Sequence, residues 1–135
     1  MNISKSIISL ATAVLLLTAC QETLEEKCQR ECKLYTKKNC PAQLDKNVII
    51  DSLTFEASTH TLHYHYTLTG QADSVGILSQ EEVKKALLGQ LRNSTTMKSY
   101  KDEGYTFTYT YHSQRRPSLV LFEQTLTKKD YQQKK

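Results

Sequence analysis

The chain has 135 residues, 24% of them charged, with 18 Lys and Arg against 14 Asp and Glu. A net charge of +4, with no Lys or Arg run longer than two residues, argues against a nucleic-acid partner. The absence of Trp and the presence of eight Tyr suit a domain built on tyrosine-rich strands.

Met1 to Ser6 carry one charge, Lys5, and Ile7 to Leu17 are apolar except for Ser9 and Thr12. A short charged stretch before roughly ten apolar residues has the proportions of a secretory signal. It falls short of the about 20 residues that cross a bilayer. It ends Leu17-Thr18-Ala19-Cys20, which looks like the lipobox of bacterial lipoproteins. The expected processing cuts between Ala19 and Cys20, places a diacylglycerol on the Cys20 thiol and acylates the new amine, for example with palmitate. Two or more acyl chains hold a protein on a membrane stably, at about 0.8 kcal/mol per buried methylene. Gln21, not Asp, follows Cys20, which under the enteric sorting rule directs the product to the outer membrane.

Removing residues 1–19 from the 135 leaves 116, and the loss of Lys5 lowers the charge from +4 to +3. The expected organisation is a signal peptide over 1–19, a tether and helix start over 20–27, and one domain over 28–135. Cys28, Cys32 and Cys40 then remain in an oxidising compartment. Three cysteines allow at most one internal disulfide. The preferred pairing joins Cys40 to Cys28 or Cys32, because side chains on one helix face run side by side.

In chain order, residues 21–37 suggest a helix with Leu24, Cys28, Cys32 and Tyr35 as its apolar stripe, ended by Pro41. Asn47 to Glu56 and Thr61 to Thr69 suggest a hairpin turning at Ala57 to His60. The second strand alternates: Leu62, Tyr64, Tyr66 and Leu68 on one face, His63, His65 and Thr67 on the other. Gly70 and Asp73 end the hairpin. Ser79 with Glu82 spells a capping box for a second helix that buries Val83, Ala86, Leu87 and Leu91 and fades near Asn93. A further turn carries Met97 and Tyr100, and Gly104 releases the chain into Tyr105 to His112, again alternating. Gln114 to Pro117 form a turn, Ser118 to Thr127 the last strand, and Lys128 to Lys135 a solvated tail. Helix, hairpin, helix, hairpin predicts an α+β domain: an N-terminal helix, then β-β-α-β-β with a four-stranded antiparallel sheet and helices on one face.

The runs Tyr35 to Pro41, Asp51-Ser52, Tyr64 to Gly70 and Tyr100 to Tyr105 resemble small uncharacterised lipoproteins of Bacteroides-type bacteria. The resemblance covers about Cys32 to Tyr131. It implies an envelope location and an α+β fold, and it brings no activity and no cofactor.

Three sets of residues are candidates for chemistry. His63 and His65 share a strand face, and with His112 on a neighbouring strand they would offer three imidazoles to zinc or copper, against the plainer reading of a solvated His/Thr face. The tyrosine stripes would offer a stacking platform if exposed, or core if covered. Asp51-Ser52-Leu53 and Asp73-Ser74-Val75 match the Asp-Ser/Thr-apolar pattern of O-glycan attachment in Bacteroides-type bacteria, with Ser74 the better placed and Ser52 inside a strand. No nucleophile elbow, phosphate loop or zinc-protease motif occurs. The expected function is a non-enzymatic binding or accessory module, held on the membrane through Cys20 and serving an envelope protein partner. The alternative is a small-ligand or metal-binding envelope protein using the histidine face.

Overall fold

A computed structural model describes residues 21–132. The signal segment, Ala19 and Cys20 lie outside the described residues.

Helix α1 (Leu24–Asn39) opens on a full capping box: Thr23 Oγ1 accepts from Glu26 N at 3.1 Å and Glu26 returns a bond to Thr23 N at 3.0 Å. Glu25 and Glu26 in its first turn and Lys37 and Lys38 in its last suit the helix dipole. Strands β1 (Ala42–Asp45), β2 (Val48–Glu56) and β3 (Thr61–Leu68) follow as a meander. Helices α2 (Gln80–Asn93) and α3 (Lys98–Asp102) then carry the chain back across the sheet. Strands β4 (Thr106–Ser113) and β5 (Val120–Leu126) form a second hairpin, and α4 (Lys128–Gln132) closes the described chain.

The order β1-β2-β3-β4-β5 makes a five-stranded mixed sheet. The α+β class and both expected hairpins are present, but the four-stranded antiparallel sheet is not. Two physical facts account for the difference. The crossover through α2 and α3 returns the chain to the end where β3 began, so β4 enters parallel to β3, with Thr61 opposite Thr106 and Leu68 opposite Ser113. β1 is four residues long and shows no alternation, so nothing but pairing marks it as a strand; Ala42 sits opposite Ile50.

The core lies between one sheet face and the helices. α1 contributes Cys28 and Cys32, α2 contributes Leu87 and Leu91, and the sheet contributes Ile50, Leu53, Leu62, Tyr66, Phe107, Tyr109, Phe122 and Leu126. Of the expected capping box the Ser79 half forms: Ser79 Oγ accepts from Glu82 N at 3.5 Å. The solvated tail is corrected: Asp130 accepts from Thr127 N at 2.8 Å, which starts α4, and Tyr131 buries its ring with its hydroxyl donating to the Tyr105 carbonyl at 2.7 Å.

Candidate functional site

Alternation along β3 and β4 gives the sheet two unlike faces. The helix-covered face holds the tyrosines. Tyr64 stacks on Tyr109 with centroids 4.9 Å apart, and Tyr66 on Tyr111 at 4.7 Å. Tyr66, Tyr105 and Tyr109 are buried, so the stripe is core and the stacking platform for sugars or bases is not available. Burial raises their phenols, and that of Tyr111 is pushed up to about 12.

The opposite face carries histidine and threonine. Because β3 and β4 are neighbours, His63, His65 and His112 do come together, but as a stack. His63 and His65 have centroids 3.9 Å apart, and His65 and His112 are 6.4 Å apart. The single hydroxyl proton of Thr110 goes to Glu123 Oε2 at 2.7 Å, so the 2.6 Å contact with His63 must be donated by His63 Nε2–H. His65 Nε2 meets Thr54 Oγ1 at 3.3 Å, and His112 Nδ1 is buried without a partner among the described residues. Partial burial lowers the basicity of His63 and His65, and for His65 the neighbouring His63 adds to it. Near-parallel rings do not aim nitrogens at one point. No group of three or more His, Cys, Asp or Glu able to hold a metal occurs among the described residues. The set lacks the convergence that a zinc or copper ion demands.

Cys28, Cys32 and Cys40 are free thiols in the structure, and the cross-link to Cys40 is not formed. Cys28 and Cys32 lie one helical turn apart, both buried. The Cys32 side chain one turn away raises the Cys28 thiol, with burial adding to it, and Cys28 in turn lowers that of Cys32. Of the two serines in the glycosylation pattern, Ser74 is exposed in the segment after β3, whereas Ser52 is half-buried in β2. Asp73, next to Ser74, is structural: its carboxylate accepts from Arg115 N at 2.9 Å and Arg115 Nε at 3.2 Å.

The two ends of the sheet differ as much as its faces. The near end carries the start of α1, the β2–β3 turn and the start of β4. There Glu25 bonds the His60 ring, which stacks on Tyr105 at 4.9 Å. The far end carries the β1–β2 turn, residues 69–79 and the β4–β5 turn. Asn47 O accepts from Thr69 N at 3.0 Å, and Leu68 O from Gln114 N at 3.1 Å, tying these segments together. Gly70 adopts a φ of +56, and a side chain there would meet Asn47 Oδ1 at 2.8 Å. Four large apolar side chains are exposed at this end: Val75 at 70%, Leu44 at 55%, Ile77 at 50% and Val120 at 45%. A cleft of about 350 Å³ opens beside Leu44, between Leu44 and Val48 on one side and Val83, Ala86 and Leu87 of α2 on the other. Tyr66 and Tyr111 form its floor.

Sequence reasoning did not single out this apolar rim. Its signal was the run Val75-Gly76-Ile77-Leu78 in a segment too short and glycine-broken to be a strand.

The family model for a domain of unknown function, DUF8479, matches residues 23–122, from the cap of α1 to the middle of β5. The chain belongs to the DUF8479 family. No curated protein matches its sequence. Three solved structures share the fold. A Pseudomonas aeruginosa protein described as secreted superposes with a TM-score of 0.65 at 11% identity, covering 83% of this chain and 100% of its own. The pilotin EpsS of the Vibrio vulnificus type 2 secretion system gives 0.64 at 11% identity, over 82% of this chain and 94% of its own. The type II secretion pilotin AspS of Vibrio cholerae gives 0.58 at 17% identity, over 79% and 91%.

Proposed function

We propose that this protein is a non-enzymatic accessory lipoprotein of the cell envelope, held by lipid on Cys20 and docking an envelope protein on the far end of its sheet. The observation that carries the reading is the separation of the two ends. Cys20 precedes the Thr23 cap by three residues, at most about 11 Å of chain. A lipid there sets the near end against the membrane. The exposed Leu44, Val75, Ile77 and Val120 and the tyrosine-floored cleft then point away from it. Exposed Arg116 lines a cleft with Val75 beside the rim, so the partner that fits is an apolar segment with an acidic neighbour. The fold shared with two secretion-system pilotins supports an accessory role of this type. The resemblance to Bacteroides-type lipoproteins, the Ala19–Cys20 cleavage and an outer-membrane address belong to the same proposal.

A photo-reactive phenylalanine analogue placed at Val75 or at Ile77 in the full-length protein, in its own membranes, tests it. One discrete protein adduct from both sites, and none from Ser58 in the near-end turn, is the expected result. Equal labelling from all three positions, or adducts to lipid alone at Val75, overturns the docking end. Cys20→Ala releases the protein from the membrane fraction if the anchor is as proposed, and a variant that still sediments with lipid removes that half of the reading.

A further inference from the structure

We propose that the outer edge of β2 takes up an extended peptide segment of a partner protein, bonded to the Phe55 backbone, with apolar side chains in the groove beside α1 and a carboxylate on Lys33 and Lys37. This site is separate from the far-end rim and does not rest on it. β1 covers only part of the β2 edge. Its ladder runs from Asp45 opposite Val48 to Ala42 opposite Ile50, and residues 51–56 have no partner strand on that side. At Leu53 a side chain of α1 stands in for the missing strand: Thr36 Oγ1 accepts from Leu53 N at 2.9 Å and donates to Leu53 O at 2.9 Å. The Leu53 N–H and C=O therefore point outward. In an antiparallel ladder the same holds two residues on, at Phe55. The Phe55 N–H and C=O have no hydrogen-bond partner among the described residues. Beyond them the Ala57 carbonyl is taken by His60 N at 3.4 Å, so an incoming segment ends at Phe55, short of Ser58.

The groove around this backbone selects the occupant. Two clefts, of about 520 and 340 Å³, meet at Gln29, Lys33 and Phe55. Exposed Leu34 and half-buried Phe55 give the groove apolar walls. The Phe55 ring stacks on Tyr105 at 5.7 Å, so the edge is held in place before a segment arrives. Several charges on the rim are committed within the protein: Glu25 to His60, Glu26 to the Thr23 amide and Arg30 to Glu22. Lys33 and Lys37 are exposed one helical turn apart, and neither has an acidic partner among the described residues. An open strand edge beside apolar pockets recognises an extended peptide. The two uncommitted lysines call for Asp or Glu next to its apolar residues. Pairing with the same edge of a second copy would bring like charges together at Lys33 and Lys37, so the segment belongs to a different chain.

Selection from a displayed library of short random peptides, on the full-length protein in detergent micelles, should enrich sequences that combine apolar residues with Asp or Glu. An end-blocked synthetic copy of an enriched peptide should slow hydrogen exchange at the Phe55 amide at least tenfold. Lys33→Glu with Lys37→Glu, two changes on the exposed face of α1, should weaken that peptide at least tenfold. Methylating alternate backbone nitrogens of the peptide should abolish binding in one register and spare it in the other, and this needs no variant of the protein to fold. Equal binding to the double variant, Phe55 exchange unmoved by bound peptide, or no enrichment over empty micelles overturns the proposal. So does Phe55 protection that appears without peptide and rises with protein concentration, which would assign the edge to a second copy.

Discussion

The near and far ends of the sheet are built from the same strands and packed on opposite principles. At the near end several projecting polar groups are engaged with one another. Glu22 forms a two-pronged pair with Arg30 at 2.7 and 3.0 Å, Thr23 caps α1, and His60 is clamped between Glu25 and Tyr105. The Tyr105 carbonyl accepts the Tyr131 hydroxyl from α4. At the far end the backbone is tied by Asn47, Leu68 and Asp73, but the apolar side chains of the connecting segments face outward. Their polar groups are satisfied and their apolar surface is not. The exposure of Val75 and Ile77 is the feature on which the proposed docking end rests.

The sharpest way to break the comparison is to remove one apolar side chain at each end. Leu62, 1% exposed in the core beside Phe107, should cost about 2–5 kcal/mol on replacement by Ala, through lost burial and the cavity left behind. Val75→Ala should change stability by less than about 0.5 kcal/mol, because its side chain is already in water. Urea unfolding midpoints of the two variants measure the contrast directly. A Val75→Ala loss as large as that of Leu62→Ala would mean that the far-end rim is folded core and not a docking surface.

Much of this architecture was legible in the sequence because it is local. The alternation of Thr61 to Leu68 against a period of two, the Ser79–Glu82 cap and the glycine at 104 each act over a few residues. What could not be seen depends on contacts distant in the chain. The parallel pairing of β3 with β4 is decided by where α2 delivers the chain, and β1 exists only because β2 offers it an edge. The tail became α4 because Tyr131 finds a pocket near Tyr105 and Phe107, with its ring edge-on to Phe107 at 5.8 Å. The candidate site divides in the same way. The gathering of His63, His65 and His112 followed from alternation once the strands were adjacent, whereas their stacked geometry, and the apolar rim at the far end, required the folded structure.

A second test concerns the stitching of the far-end backbone. Hydrogen bonds from the Ser113 hydroxyl, then from Arg115, hold the Asp73 carboxyl below its usual range. A carboxylate with a lowered native value contributes stability above its unfolded value, near pH 4, and loses it as the pH falls toward the lowered one. The Arg115 amide, which donates to Asp73 Oδ2, should therefore exchange faster with solvent as the pH drops below about 4, once intrinsic exchange rates are corrected for. Asp73→Asn should show fast exchange already at neutral pH and little further change on acidification. Slow exchange in that variant would assign the order of the turn to Asn47 and Gly70 instead.

The last test concerns the near end, where two opposing contributions nearly cancel. His60 is the one described residue other than glycine with a positive φ, 51°, a conformation that costs a branched side chain energy and glycine almost none. His60→Gly therefore relieves the backbone by an amount of the order of 0.5–1 kcal/mol. It also deletes the ring stacked on Tyr105, worth about 0.5–1.5 kcal/mol, and an exposed pair with Glu25, worth about 0–1 kcal/mol. The opposing contributions leave a net change between a gain of about 0.5 and a loss of about 2 kcal/mol, centred on a loss of about 0.75 kcal/mol. Asparagine tolerates the same backbone region without offering the aromatic stack, so comparing His60→Gly with His60→Asn by thermal unfolding separates the two contributions. A stabilised His60→Gly protein would show that the histidine is held in place at a cost to the fold, and its contact with Glu25 at the root of α1 would then be kept for a reason other than stability.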